Sequence, residues 1–174
     1  MNKKAATGYI ALLILSSFLH SMKPSNHILY SSLPLLLLSF PIAVGYRVKM
    51  RFAMKDIAIG CMVSAVILLP YYLLFGGDGK TLTVYSLLFQ LLSVSFPEEF
   101  FFRGYLQDSM GRTFRAVVFV SLLFSLAHLP RAFFLNDWVL LLSFFPSLVM
   151  GWLYTKTNNI LPGTIFHFFA NLAY

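Results

Sequence analysis

Apolar residues fill seven long runs of this 174-residue chain, and the polar residues between them come in short clusters. The first run, residues 5–22 (AATGYIALLILSSFLHSM), follows two lysines, is long enough to span a bilayer, and has no small-residue cleavage site after it. It therefore reads as a retained helix rather than a signal peptide. The others cover roughly residues 28–46, 57–75, a segment opening near Leu82, 116–129, 138–154 and 160–174. Their connectors carry helix breakers and charge: KPSN at 23–26, RVKMRFAMK at 47–55, GGDGK at 76–80, GRTFR at 111–115 and TKTNN at 155–159. The pattern predicts an all-α, polytopic transmembrane bundle of about seven spans, a single integral membrane domain over 1–174 with no internal repeat. The run at 116–129 is short for a span, which predicts little tilt or protein around its ends.

Composition agrees with the pattern. Hydrophobic residues make up 59% of the chain and charged ones 11%, with a mean hydropathy of +0.77. Soluble domains are about one quarter charged, and 174 residues cannot hide this much apolar surface in one aqueous core. Cys61 is the only cysteine, which excludes an internal disulfide, a CxxC pair and a thiolate zinc cage; mid-run, it reads as a small packing residue. The net charge of +7 does not indicate nucleic acid, because the basic residues sit in the connectors rather than along one polar face. They read as topology signals. With alternate connectors sharing a side, Lys3, Lys4, Arg47, Lys49, Arg51, Lys55, Arg112, Arg115 and Lys156 fall on one side and Lys23, Lys80 and Arg131 on the other. Nine against three predicts a cytoplasmic N-terminus.

One apolar run breaks the pattern. In SFPEEFFFRGYL, residues 95–106, stand the only two glutamates of the chain, Glu98 and Glu99, with Arg103. A carboxylate at the centre of a membrane helix costs about 2.5–3.5 kcal/mol on insertion scales, so intramembrane acids face a protein interior or a wet cavity and mark functional sites. Glu99 precedes Arg103 by four residues, the favourable order for a helical ion pair, while Glu98 points about 100° away and is left free. Pro97, just before them, is expected to kink or interrupt the helix. Further polar groups lie in the same half: His128 ends LLFSLAHL, and His167 and Asn171 share one helix face in IFHFFANL. A lone buried histidine is more often a packing residue, and a Glu–Arg pair can serve packing alone; three such features on three helices indicate a site. Counted from Arg112, Arg115 and Lys156 at about 1.5 Å per residue, Glu98, His128 and His167 lie at roughly 21, 20 and 17 Å, nearly one level. That depth, with the basic excess, suggests access from the cytoplasmic leaflet, while a site near mid-membrane can open to either side.

The ordered motifs EExxxR (Glu98, Glu99, Arg103), FxxxH (Phe124, His128) and HxxxN (His167, Asn171) resemble the CPBP or ABI family of CAAX prenyl proteases and bacteriocin-processing relatives, which are glutamate-dependent intramembrane endopeptidases. The resemblance covers residues 82–174; residues 1–81 carry no motif. It implies that Glu98 and His128 activate a water for attack on a peptide carbonyl, that His167 and Asn171 stabilise the oxyanion, and that Glu99, Arg103 and Phe124 order the site. It implies no cofactor, a membrane-anchored or lipidated protein or peptide as substrate, no nucleic acid, and a multi-pass protein of a prokaryotic cytoplasmic membrane.

Other readings follow from the same residues. Two glutamates and two histidines can ligate zinc, although HExxH is absent. There is no GxSG serine motif, and GGDG at 76–79 lacks the first glycine of GxGD because Phe75 stands there. A scaffold or immunity protein would retain the fold without the chemistry. Buried Glu and His also build proton relays, but neither an inverted repeat nor a pair of matching broken helices points to a transporter.

Overall fold

The computed structural model describes residues 1–22, 29, 31–75 and 82–173. The predicted turns at 23–26 and 76–80 lie outside the described residues. Helix α1 spans Lys3–Met22, α2 Ser32–Ala43 and α3 Met54–Phe75. A long helical segment, α4, covers residues 84–110; α5 is Phe114–Ala127 and α6 Leu129–Leu135. A 3-10 turn at Trp138–Ser143 leads into α7, Phe144–Thr157, and α8 is Leu161–Ala173. No strand occurs among the described residues. With α5 and α6 taken together, seven helical segments thus stand among the described residues where the seven apolar runs were expected. Four stretches, Lys3–Met22, Met54–Phe75, Phe114–Leu135 and Trp138–Thr157, are long and apolar enough to cross a membrane by length and composition.

Helix α3 shows how such a sequence packs. Its buried positions are Asp56, Gly60 and Ser64, spaced by four, while Met62, Val66, Leu69 and Leu73 point outward. Small residues on the inner face let α3 lie close along α8, as helices do in lipid, where apolar contact alone gives no net drive to associate. A Cβ at Gly60 would meet the Pro162 backbone at 2.9 Å, so the approach depends on glycine.

Two expectations change. The short run at 116–129 is part of a longer stretch, Phe114–Leu135, bent at His128. Thr113 caps its start by accepting a hydrogen bond from the Ala116 amide, and the bend falls where Pro130 restricts the preceding residues. Pro97 does not interrupt α4. Gln90–Ser95 and Phe100–Gln107 are π-helical, and Phe96–Glu99 is a short α turn between them. The wider i→i+5 turn just before Pro97 accommodates its missing donor and ring without ending the helix.

One end of the bundle is tied by polar groups. Lys49 in the α2–α3 loop pairs with Asp108 at 2.8 Å, and Tyr46 donates its hydroxyl to the same carboxylate at 2.6 Å. Arg51 pairs with Asp56 at 3.0 Å and donates to the Thr157 carbonyl; Asn159 donates to Asp56 and to the Arg51 carbonyl. This is the end that carries the basic loops. Asp108 lies outside the four spanning stretches. Burial pushes its carboxyl up, but hydrogen bonds from Lys49, Tyr46 and Tyr154 outweigh that and hold it below the usual aspartate value. Burial, together with the bond to Asp108, pushes the Tyr46 hydroxyl up.

Candidate active site

The site is built on a stripe of α4. Ser95, Glu99, Arg103 and Gln107 follow one another at intervals of four, and all are fully buried. In a pure α-helix of 3.6 residues per turn each step of four over-rotates by about 40°, so such a stripe would wander. The wider π turns under-rotate and bring the four side chains back to one face. Arg103 and Gln107 meet α7, whose Ser147, Gly151 and Thr155 repeat at the same interval. Arg103 donates to Ser147 Oγ at 2.7 Å, and the Gln107 amide donates to the Gly151 carbonyl at 2.9 Å and to Thr155 Oγ1 at 3.2 Å.

The expected Glu99–Arg103 pair forms, with Arg103 Nε 3.3 Å from Glu99 Oε2 and both side chains fully buried. Arg103 also lies over the Phe124 ring, 5.4 Å from its centroid. Glu99 fits because position 163 is glycine: a Cβ there would sit 2.6 Å from Glu99 Oε2. Its neighbour differs. Glu98 retains 20% side-chain exposure and turns into a cavity of about 420 Å³.

Four helical segments supply that cavity. Phe124 and His128 come from the end of α5, His167 and Asn171 from α8, and Met150 from α7, all lining the same space as Glu98 of α4. The three levels counted along the sequence therefore converge. His128 sits at the bend after α5, with Nδ1 2.9 Å from the Phe124 carbonyl. Only a protonated Nδ1 can bond that carbonyl, and in the neutral ring this leaves Nε2 as an acceptor. His167 is bracketed by the glutamates, Nε2 being 3.7 Å from Glu98 Oε2 and Nδ1 3.5 Å from Glu99 Oε1. Phe124 packs its ring against both imidazoles, with centroids at 4.9 Å from His128 and 5.6 Å from His167. All seven residues singled out in the sequence thus belong to one cluster: Glu98, Phe124, His128, His167 and Asn171 line the cavity, and Glu99 and Arg103 lie directly behind it. Among the described residues, no three His, Cys, Asp or Glu side chains are arranged to hold a metal ion.

Sequence reasoning missed Ser147, Gly163 and Gln107, which hold Arg103, Glu99 and the α4–α7 contact. The shared four-residue interval of Ser147, Gly151 and Thr155 was the available signal. It also missed Gln90, Arg131 and Asp137, which line the same cavity.

Comparison with known families matches residues 80–173 to the family described as type II CAAX prenyl endopeptidase Rce1-like. No curated protein and no solved structure is matched.

Proposed function

The chain belongs to the type II CAAX prenyl endopeptidase Rce1-like family, and from that premise we propose that it is an integral membrane endopeptidase that hydrolyses a peptide bond of a membrane-associated substrate at Glu98. The observation that carries this is the convergence of Glu98, His128, His167 and Asn171, from three segments far apart in sequence, on one cavity from which Glu99 is excluded.

The mechanism follows from which atoms face the cavity. Glu98 and the bare Nε2 of His128 are two proton acceptors beside a space that admits water and a peptide carbonyl; together they draw a proton from the attacking water as its oxygen bonds to the carbonyl carbon. The charge that develops on the carbonyl oxygen falls to N–H donors on α8, the His167 imidazole and the Asn171 amide, one helical turn apart on one face. The proton held by Glu98 and His128 then passes to the amine as the C–N bond breaks. Glu99 lies behind His167, 3.5 Å from its Nδ1, and Arg103, anchored by Ser147, holds Glu99 in place.

Hydrolysis without a metal is part of this proposal, as is the arrangement of all seven helical segments across the bilayer. Purified full-length protein in detergent, offered membrane-tethered peptides, is expected to cleave one or more; cleavage is lost in Glu98→Ala and in His128→Ala and unchanged by a zinc chelator. Cleavage that persists in Glu98→Ala would overturn the assignment, and chelator sensitivity would turn the same residues into metal ligands.

A further inference from the structure

Behind the cavity, where α4 meets α5 and α7, three buried polar atoms have no hydrogen-bond partner among the described residues: Nη1 of Arg103, Oε1 of Gln107 and Oγ of Ser121. All three residues have no solvent exposure. The rest of the two α4 side chains is engaged. Arg103 lies with Nε 3.3 Å from Glu99 and donates from Nη2 to Ser147, and the Gln107 amide nitrogen donates to the Gly151 carbonyl and to Thr155. What remains is complementary, since Nη1 can only donate, Oε1 can only accept, and a hydroxyl does both. Buried polar groups are paired almost without exception, with protein or with water, because an unpaired one carries its full desolvation cost.

The register of the helices brings these atoms to adjoining levels. A Cβ on Gly151 would meet Gln107 Oε1 at 3.0 Å and Val117 Cγ1 at 2.8 Å, so α4, α5 and α7 touch there. One turn along, the Arg103 guanidinium reaches Ser147 and lies over the Phe124 ring, 5.4 Å from its centroid. Ser121 follows Val117 by four residues and precedes Phe124 by three, which sets it on the same face of α5, between the residue beside Gln107 and the residue under Arg103. Its hydroxyl is also uncommitted. A serine or threonine inside a helix commonly donates to the carbonyl four residues earlier, as Ser64 does to Gly60 and Thr157 to Leu153. Ser121 makes no such bond to Val117.

We propose that Ser121 is a further positioning residue of the site: its hydroxyl accepts from Nη1 of Arg103 and donates to Oε1 of Gln107, directly or through one buried water. Arg103 is then held from α7 by Ser147 and from α5 by Ser121. A planar guanidinium fixed at both terminal nitrogens cannot swing, so its Nε stays aimed at Glu99, which lies 3.5 Å from Nδ1 of His167. Ser121 is not among the residues that line the cavity, so it acts on the chemistry only through Arg103 and Glu99. The kinetic consequence rests on the proteolytic reading of the site; the tie itself does not.

Two readouts on the purified full-length protein separate the tie from the function it deepens. With a membrane-tethered peptide that the wild type cleaves, Ser121→Ala is expected to lower kcat about tenfold with KM held, the size of effect that follows from stranding a buried donor. An unchanged kcat, or a rise in KM alone, would overturn the positioning role. The double variant with Ser147→Ala tests the route. Two residues that hold one guanidinium are coupled, so its kcat is expected to depart from the product of the two single effects by about threefold or more, whereas independent sites multiply. Single effects that simply multiply would overturn the proposal. The same cycle read on unfolding midpoints needs no substrate. Coupled midpoints in a chain that cleaves nothing leave the tie standing and remove the protease; cleavage with multiplying effects and additive midpoints removes the tie and keeps the protease.

Discussion

Two adjacent residues of one type have separate fates here, and the difference is testable. Glu99 is fully buried, paired to Arg103 and set against Gly163; Glu98 is part-exposed in the cavity. Removing one partner of a buried ion pair leaves an uncompensated charge and costs about 3–5 kcal/mol, so Glu99→Ala is expected to lower the thermal unfolding midpoint of the purified protein sharply. Glu98→Gln is expected to leave that midpoint nearly unchanged while cutting kcat/KM by about 10²–10⁴-fold, the range for loss of a general base. Equal effects of the two changes on stability would contradict the division of roles. Ser147 gives a third case. It accepts from Arg103 deep in the bundle, and Ser147→Ala strands that donor at a cost of about 1–3 kcal/mol. Its effect on catalysis passes through Arg103 and Glu99 to His167, so a drop in kcat with KM held is expected, and Ser147→Thr should restore much of it.

At the scale of elements, the sequence already carried the cluster, and the reason is physical. Polar groups in an apolar run are so costly in lipid that each one marks an inward face, and a spacing of four fixes which of them share it; this is why Glu99 with Arg103, and His167 with Asn171, were legible before any coordinates. The π turns of α4 were not, because their signal is the absence of drift along Ser95, Glu99, Arg103 and Gln107, which looks unremarkable until a partner stripe is found on α7. The extension of the 116–129 run through the bend at His128 was hidden by Pro130, which reads as a stop. Nor does a sequence show that Gly163 matters, since glycine near a helix start is common. The close approach reveals it: with a Cβ 2.6 Å from Glu99 Oε2, Gly163→Ala must push α8 or the carboxylate aside. Overpacking of this kind costs about 1–3 kcal/mol, and because His167 lies on the same helix, activity is expected to fall further than stability. Circular dichroism melting beside peptide cleavage rates would separate the two; a variant with full activity would show that Glu99 is not held where the structure has it.

Over the whole molecule, chemistry and anchorage occupy opposite ends of the same helices, which allows one end to be perturbed while the other is read. At the anchored end Asp108 accepts from Lys49 and Tyr46, joining the end of α4 to the loop that precedes α3. Its carboxyl is held below the ordinary aspartate value of 3.8, so the folded state binds this proton less readily than the unfolded one. The stabilisation is therefore complete only well above 3.8, where both states are ionised, and is lost as the pH falls through that value and the lower folded one. Tyr46, its hydroxyl pushed up, stays a donor throughout that range and does not blur the transition. Unfolding midpoints followed from pH 6 downwards are expected to hold until the acid region and then drop; in Asp108→Asn the midpoint starts lower and that part of the acid dependence is gone. An identical acid profile in the variant would mean that the tie contributes nothing to holding the loops together. A lower midpoint at neutral pH with cleavage still supported would show that the basic end secures the bundle while the cavity, at the far ends of the same helices, keeps its shape.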